Sequence, residues 1–241
     1  MRGLVAFTCI VAITGCERGA SLSTAFPMPT QTLRSIEGAP EVPPIFVVDG
    51  GDDPWGDYGS ILVHGMCDHV DRDQNGQLQL ARTGPFVPPV TFPGIGHIVI
   101  TDQMKVSMEQ AGFTGISFRP VTKSHIVLLN WQEWDLSDEE PKQFPQYGAP
   151  EGYLLENEHS ATLAESMGPL WEVVLADSAK VLRHKGTDFS EMYFTYVPGT
   201  WNGNDLFSVD ENSKKYASWR AKQWFDSHFP QWTSFVDAAR H

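Results

Sequence analysis

Cysteine is scarce: three residues in 241, at positions 9, 16 and 67. No two of them form a CxxC pair, so the sequence offers neither a zinc ribbon nor a thioredoxin-type redox motif. Two of the three fall within the first sixteen residues. If that segment is processed as argued below, Cys67 stands alone. No disulfide framework then exists, although an exported compartment would permit one. Positive charge is also short. Seventeen Lys and Arg face thirty Asp and Glu, for a net charge of −13. That balance argues against a nucleic-acid-binding surface and against docking on anionic headgroups. It suits a basic protein partner, and it suits plain solubility equally. Several catalytic signatures are missing. There is no GxSxG elbow, no Walker A loop, no GxGxxG and no HExxH. Gly94-Ile95-Gly96 is a lone glycine pair and reads as a turn. Carboxylates do adjoin, as in Asp138-Glu139-Glu140 and Glu156/Glu158, but a glycosidase needs two held about 5–10 Å apart across a bond. An adjacent acidic run is usually a solvated loop. The sequence calls for no cofactor and reads as a binding protein rather than an enzyme.

Long apolar runs are missing too. The most extended, Leu4 to Ile13, is broken only by Thr8 and is too short for a bilayer span of about 20 residues. With Arg2 before it, the run has the layout of a secretory leader. Ile13-Thr14-Gly15-Cys16 has the form of a lipobox: a branched apolar residue, two small residues for the peptidase, then a thiol to accept a diacylglyceryl group. Acyl chains contribute about 0.8 kcal/mol per buried CH₂, so two or three of them anchor stably. We therefore expect residues 1–15 to be a lipoprotein signal peptide and Cys16 to carry the lipid. Glu17, rather than Asp, follows the cysteine, which leans towards the outer membrane in a Gram-negative host. An ordinary cleaved leader with a chance cysteine is the alternative.

What is present is a core. Apolar residues make up 41% of the chain, with 8 Trp. Residues 16–44 are rich in Ser, Thr, Pro, Gly and Ala, and are expected to be a tether. Residues 45–241 form the expected globular domain. Ile45 to Val48 and Ile61 to Val63 read as strands, with a loop from Asp52 to Gly59 between them. Gln77 to Leu80 alternates as a half-buried strand does, and Ile98 to Ile100 reads as another. Thr101 is a good N-cap, so Asp102 to Ala111 is expected to be a helix with Met104 and Met108 on one face, ended at Gly112. Thr114 to Val121 and His125 to Leu129 follow as strands, and residues 135–152 as loop. A helix is expected around Ser160 to Met167, and strands over Trp171 to Leu175, Ala179 to Leu182 and Met192 to Val197. Ser218 caps a second helix, Trp219 to His228, before a closing strand, Trp232 to Val236. The two helix–strand units match. Thr101 stands as far from Phe118 as Ser218 does from Phe235, and within that frame Met104 meets Ala221 and Met108 meets Phe225. The fold expected is α+β, a single domain with a mainly antiparallel sheet and two similar helix–strand units.

Two clusters carry ligand types. Asp71-Arg72-Asp73-Gln74-Asn75-Gly76 fits the first half of a calcium loop, but its twelfth position is Arg82, where a bidentate carboxylate is needed. Asn75-Gly76 between short strands reads better as a hairpin turn. His64, Cys67 and His69 are zinc-ligand types at close spacing, with no second cluster to complete a tetrahedron. The thiol equally suits a small core residue, and no metal is assigned. For binding, the candidates are the acidic Asp138, Glu139 and Glu140 and the aromatic Trp131, Trp134 and Trp201, which stand beside polar or turn residues.

Two segments also carry a resemblance. ITDQMKVSMEQAGFTGISFRPV, from Ile100 to Val121, contains Ala111-Gly112-Phe113-Thr114-Gly115, then Phe118 and Pro120-Val121. Near the C-terminus come Asp205-Leu206-Phe207, a helix and Phe235. This set resembles bacterial immunity proteins of polymorphic toxin systems, in particular myxobacterial families including the one named for a double CxxCG motif. The CxxCG pairs are absent here, and with them the zinc ribbon that family implies. The resemblance implies a protein that works through a binding surface, without a catalytic set. The chain is thus expected to be a membrane-anchored envelope lipoprotein that binds a basic, toxin-like protein. The alternative is a surface lipoprotein that binds glycan through exposed Trp.

Overall fold

The computed structural model describes residues 44–52, 57–94, 96–129, 150–184, 193–210 and 212–238. The first half of these comprises β1 (Ile45–Gly50), α1 (Asp57–His64), β2 (Met66–Arg72), β3 (Leu78–Gly84), β4 (Val90–Thr91), β5 (Val99–Thr101), α2 (Asp102–Gln110), β6 (Ile116–Pro120) and β7 (Thr122–Leu128). The second half comprises α3 (Pro150–Glu156), α4 (Ala161–Ser166), β8 (Leu170–Leu175), β9 (Val181–His184), β10 (Tyr193–Tyr196), β11 (Leu206–Val209), β12 (Asn212–Ser218), α5 (Trp219–His228) and β13 (Thr233–Asp237). The fold is α+β, and its strand pairs are antiparallel except for β3 with β7. No helix among the described residues is long and apolar enough to cross a membrane.

Two four-stranded sheets share one topology, β4-β5-β8-β6 and β11-β12-β1-β13. In each, a strand leads into a helix, the helix leads to a second strand, and an antiparallel strand from elsewhere in the chain separates the two. The helices start alike. Thr101 accepts the Met104 N–H and Ser218 accepts the Ala221 N–H, each satisfying one of the donors a helix N-terminus leaves open. The registers also match. Thr101 lies opposite Leu170 and Ser218 opposite Ile45, while Phe118 lies opposite Val173 and Phe235 opposite Val48. The equivalent residues meet in one core: Val173 with Val48, Val90 with Leu206, Ile100 with Ala217, Met104 with Ala221, and Met108 with Phe225. The two units recognised in the sequence are therefore the two halves of a duplicated fold that bury their apolar faces against each other.

The middle strands are crossed over. β1 precedes the first helix–strand unit but completes the sheet of the second, and β8 follows the first unit and completes its sheet. Each half thus depends on a strand from beyond its own unit.

Local expectations are corrected at several points, among them the loop expected over Asp52 to Gly59, whose last three residues begin α1. Ile61 to Val63 belongs to α1, not to a strand. Its β-branched residues are overridden by tertiary contacts, since Leu62 and Val63 are buried and β3 caps the helix C-terminus. Thr83 Oγ1 donates to Leu62 O at 2.6 Å and an Arg82 nitrogen donates to Val63 O at 2.9 Å. Residues 150–152 begin α3 rather than extending a loop. β11 and β12 lie in a stretch to which the sequence reading gave no strand. The hairpin at Asn75-Gly76 joins β2 to β3, with five residues between the strands rather than two.

Candidate functional site

Arg82 and Asp73, from the calcium-like segment, are both used in the fold. Arg82 is fully buried; its Nε donates to Thr83 O and its Nη2 also reaches Phe86 O, while Nη1 is buried without a partner among the described residues. Burial without a carboxylate pulls its pKa down to about 9. Asp73 Oδ1 accepts the Asn75 and Gln77 N–H groups, and Oδ2 accepts the Thr122 hydroxyl. Both oxygens thus stabilise the hairpin loop. His64 is buried with its ring edge-on to Phe92, and the Cys67 thiol donates to Pro93 O at 2.7 Å. Among the described residues no group of three or more His, Cys, Asp or Glu is placed to hold a metal. The side chains of His69 and Asp71 lie outside that set.

Trp201 is half-buried rather than splayed on the surface. Its Nε1 donates to Asn204 O at 2.9 Å and its ring lies over Phe207, 6.2 Å between centroids. Cys16, Trp131, Trp134, Asp138, Glu139 and Glu140 lie outside the described residues.

Two buried carboxylates organise the molecule, and neither stands out in the sequence as a site. Glu172, on β8, is 4% exposed. It receives Arg72 in a fork, at 2.6 and 2.8 Å, with His97 Nδ1 at 3.4 Å and Arg119 at 3.6 Å. Burial acts to raise its pKa, but the Arg72 and His97 hydrogen bonds and charges outweigh that and hold it at about 2. Asp205 joins the two resemblance motifs directly. It accepts the Thr114 N–H and hydroxyl at 3.0 and 2.8 Å, the Ser218 hydroxyl at 3.1 Å, and Arg220 Nε at 2.8 Å. Arg220 also reaches Ala111 O and Gly112 O, satisfying carbonyls at the end of α2. Burial again acts to raise the Asp205 pKa, and Arg220 and Thr114 bring it down to about 2. Gly115, at φ +81°, passes so close to this point that a Cβ would fall 2.3 Å from Leu206 O.

The open feature near these hubs is a groove over β12. A lobe of about 440 Å³ is bounded by Asp49, Ser60, Ile61, Phe92 and Gly94, and one of about 210 Å³ by Arg72, His97, Glu172, Ser208 and Asn212. Gly96, Ser213, Lys214 and Lys215 line both. Gly96 lies close against β12, where a Cβ would stand 3.6 Å from Ser213 O. Lys215 is 8% exposed, with its ammonium 5.3 Å from the Phe92 ring centroid. Burial lowers the pKa of Lys214 and Lys215, against a raising influence from Asp49. The groove can bind through charge and hydrogen bonds, and its one deeply buried carboxylate, Glu172, is held ionised. Its trace in the sequence is the pair Lys214-Lys215, separated by Tyr216 and Ala217 from the Ser218 helix cap. Its burial cannot be read from periodicity.

No protein-family model matches the chain, and no curated protein matches it either.

Proposed function

We propose that the chain is a lipid-anchored envelope protein that works by binding a protein partner, in the manner of toxin-immunity proteins. Residues 1–15 are removed as a leader, Cys16 carries the acyl chains, and residues 16–44 tether the domain. The partner is basic, drawn by the net negative charge. One observation carries the reading. The two segments that resemble immunity families, Ile100 to Val121 and Asp205 to Phe235, meet in the hydrogen-bonded hub of Thr114, Asp205 and Arg220. The resemblance thus falls on the residues that define the scaffold. Both strongly depressed carboxylates are engaged in ion pairs rather than set out as an acid–base pair. The acidic segment Asp138, Glu139 and Glu140 is the first contact surface to test.

Capture on tagged mature protein from native envelopes, read by mass spectrometry, tests this. The expected result is one stoichiometric basic protein encoded beside this gene, lost on charge reversal of residues 138–140. Retention of cell-wall fragments with no protein would sink it. A second reading, glycan binding, is favoured by Trp219, 47% exposed on α5 with its ring beside Phe46. Fluorescence shifts with polysaccharide, abolished by Trp219→Ala, would support that alternative.

A further inference from the structure

Buried ammonium groups ordinarily find acceptors, because each carries three donors and a full charge. Lys215 is buried along its stem, but its Nζ is not among the buried side-chain atoms that lack a partner, so the ammonium opens to the groove. It is more than nine-tenths buried on β12, and its ammonium meets the face of Phe92, with no hydrogen bond or ion pair to the described residues. It is not sealed in, since it lines both lobes of the groove. The hydroxyls of Ser60 and Ser213 line the larger lobe and likewise make no side-chain hydrogen bond to the described residues. Asp49 bears on Lys215 through space, but no ion pair between described residues joins the two. The Lys215 ammonium therefore brings positive charge into the groove, on a chain whose overall charge is −13. Local positive sign in a concave site concentrates anions whatever the net charge of the molecule. A lobe of about 440 Å³ is of the size that takes a small molecule rather than a chain.

We propose that the groove over β12 binds an oxyanion, a carboxylate or phosphate group on a small molecule, through the Lys215 ammonium and the hydroxyls of Ser60 and Ser213. Phe92 holds the lysine stem in place, and the oxyanion supplies the acceptors that the protein does not. None of these residues belongs to the acidic segment proposed for the protein partner, and the proposal stands whether or not that partner exists.

The test is a titration of the full mature protein with inorganic phosphate and with succinate, at matched ionic strength against sodium chloride. Thermal midpoint is followed, together with reductive methylation of individual lysines by mass spectrometry. At least one probe is expected to give a saturable rise in midpoint and to protect Lys215 from methylation. Phosphate alone would assign a phosphate-bearing ligand, and succinate alone a carboxylate. Lys215→Met is expected to weaken binding at least about tenfold, equivalent to about 1.4 kcal/mol. Ser213→Asp places a repelling carboxylate on an exposed position and should weaken binding even if the lysine variant folds poorly. Two results would overturn the proposal: both probes behaving like chloride, or Ser213→Asp binding as the unaltered chain does.

Discussion

Glu172→Gln is the sharpest probe of the scaffold. The substitution keeps the shape and removes the charge. It leaves Arg72, Arg119 and His97 gathered about a neutral amide, because these three groups lie 2.6–3.6 Å from the carboxylate. Breaking a fully buried pair from one side costs about 3–5 kcal/mol. Arg72 and Arg119 are 36% and 40% exposed, so water recovers part of that, and about 2–3 kcal/mol is expected at pH 7. The pH dependence gives the effect a signature. The folded pKa of Glu172, about 2, lies below its ordinary 4.5. The stability from ionisation is therefore fully present above 4.5 and is lost as pH falls from there through about 2. Urea unfolding of both proteins at pH 7, 5, 4 and 3 measures this. The gap between them should be widest at pH 7 and close towards pH 3. A gap under about 0.5 kcal/mol at pH 7, or one that stays constant down to pH 3, would refute the reasoning.

Other substitutions probe the rest of the fold. Asp205→Asn should destabilise by about 1–3 kcal/mol, because it uncouples Thr114 and the half-exposed Arg220 from a buried carboxylate, and equilibrium denaturation at pH 7 will show whether it does. Truncation before Gly51 removes β1, which lies between β12 and β13, so the remaining chain should lose cooperative unfolding by circular dichroism. A native-like transition would mean that the second half closes without it. Cys16→Ser should move the protein from the membrane to the soluble fraction in the expressing bacterium, and an unchanged membrane fraction would remove the lipid anchor from the account.

Much of this fold is legible in the sequence where one element meets one clear signal. Thr101 and Ser218 announce their helices because a capping hydroxyl before an amphipathic run is a local feature. Met104/Ala221 and Met108/Phe225 announce the duplication because equivalent positions face the same core. What is not legible is decided at a distance. Ile61 to Val63 looks like a strand until Arg82 and Thr83 are known to cap it as a helix. β12 hides behind Lys214 and Lys215, whose charges suggest solvent rather than a sheet. The exchange of β1 and β8 is a matter of topology, and nothing local marks it. Glu172 sits in an ordinary apolar strand pattern, and its partner Arg72 lies a hundred positions away. Among the proposed contact residues, Trp201 shows why aromatic content alone points poorly to a surface. Its neighbours are polar or turn residues, yet its ring stacks on Phe207 and its N–H is bonded within its own loop.

The claim at the centre of the account is a basic protein partner, and isothermal titration of the purified mature chain with the basic product of the adjacent gene tests it directly. One-to-one binding that weakens between low and physiological salt is expected, because an acidic surface meeting a basic one is screened by ions. No binding heat, or an affinity indifferent to salt, would contradict it.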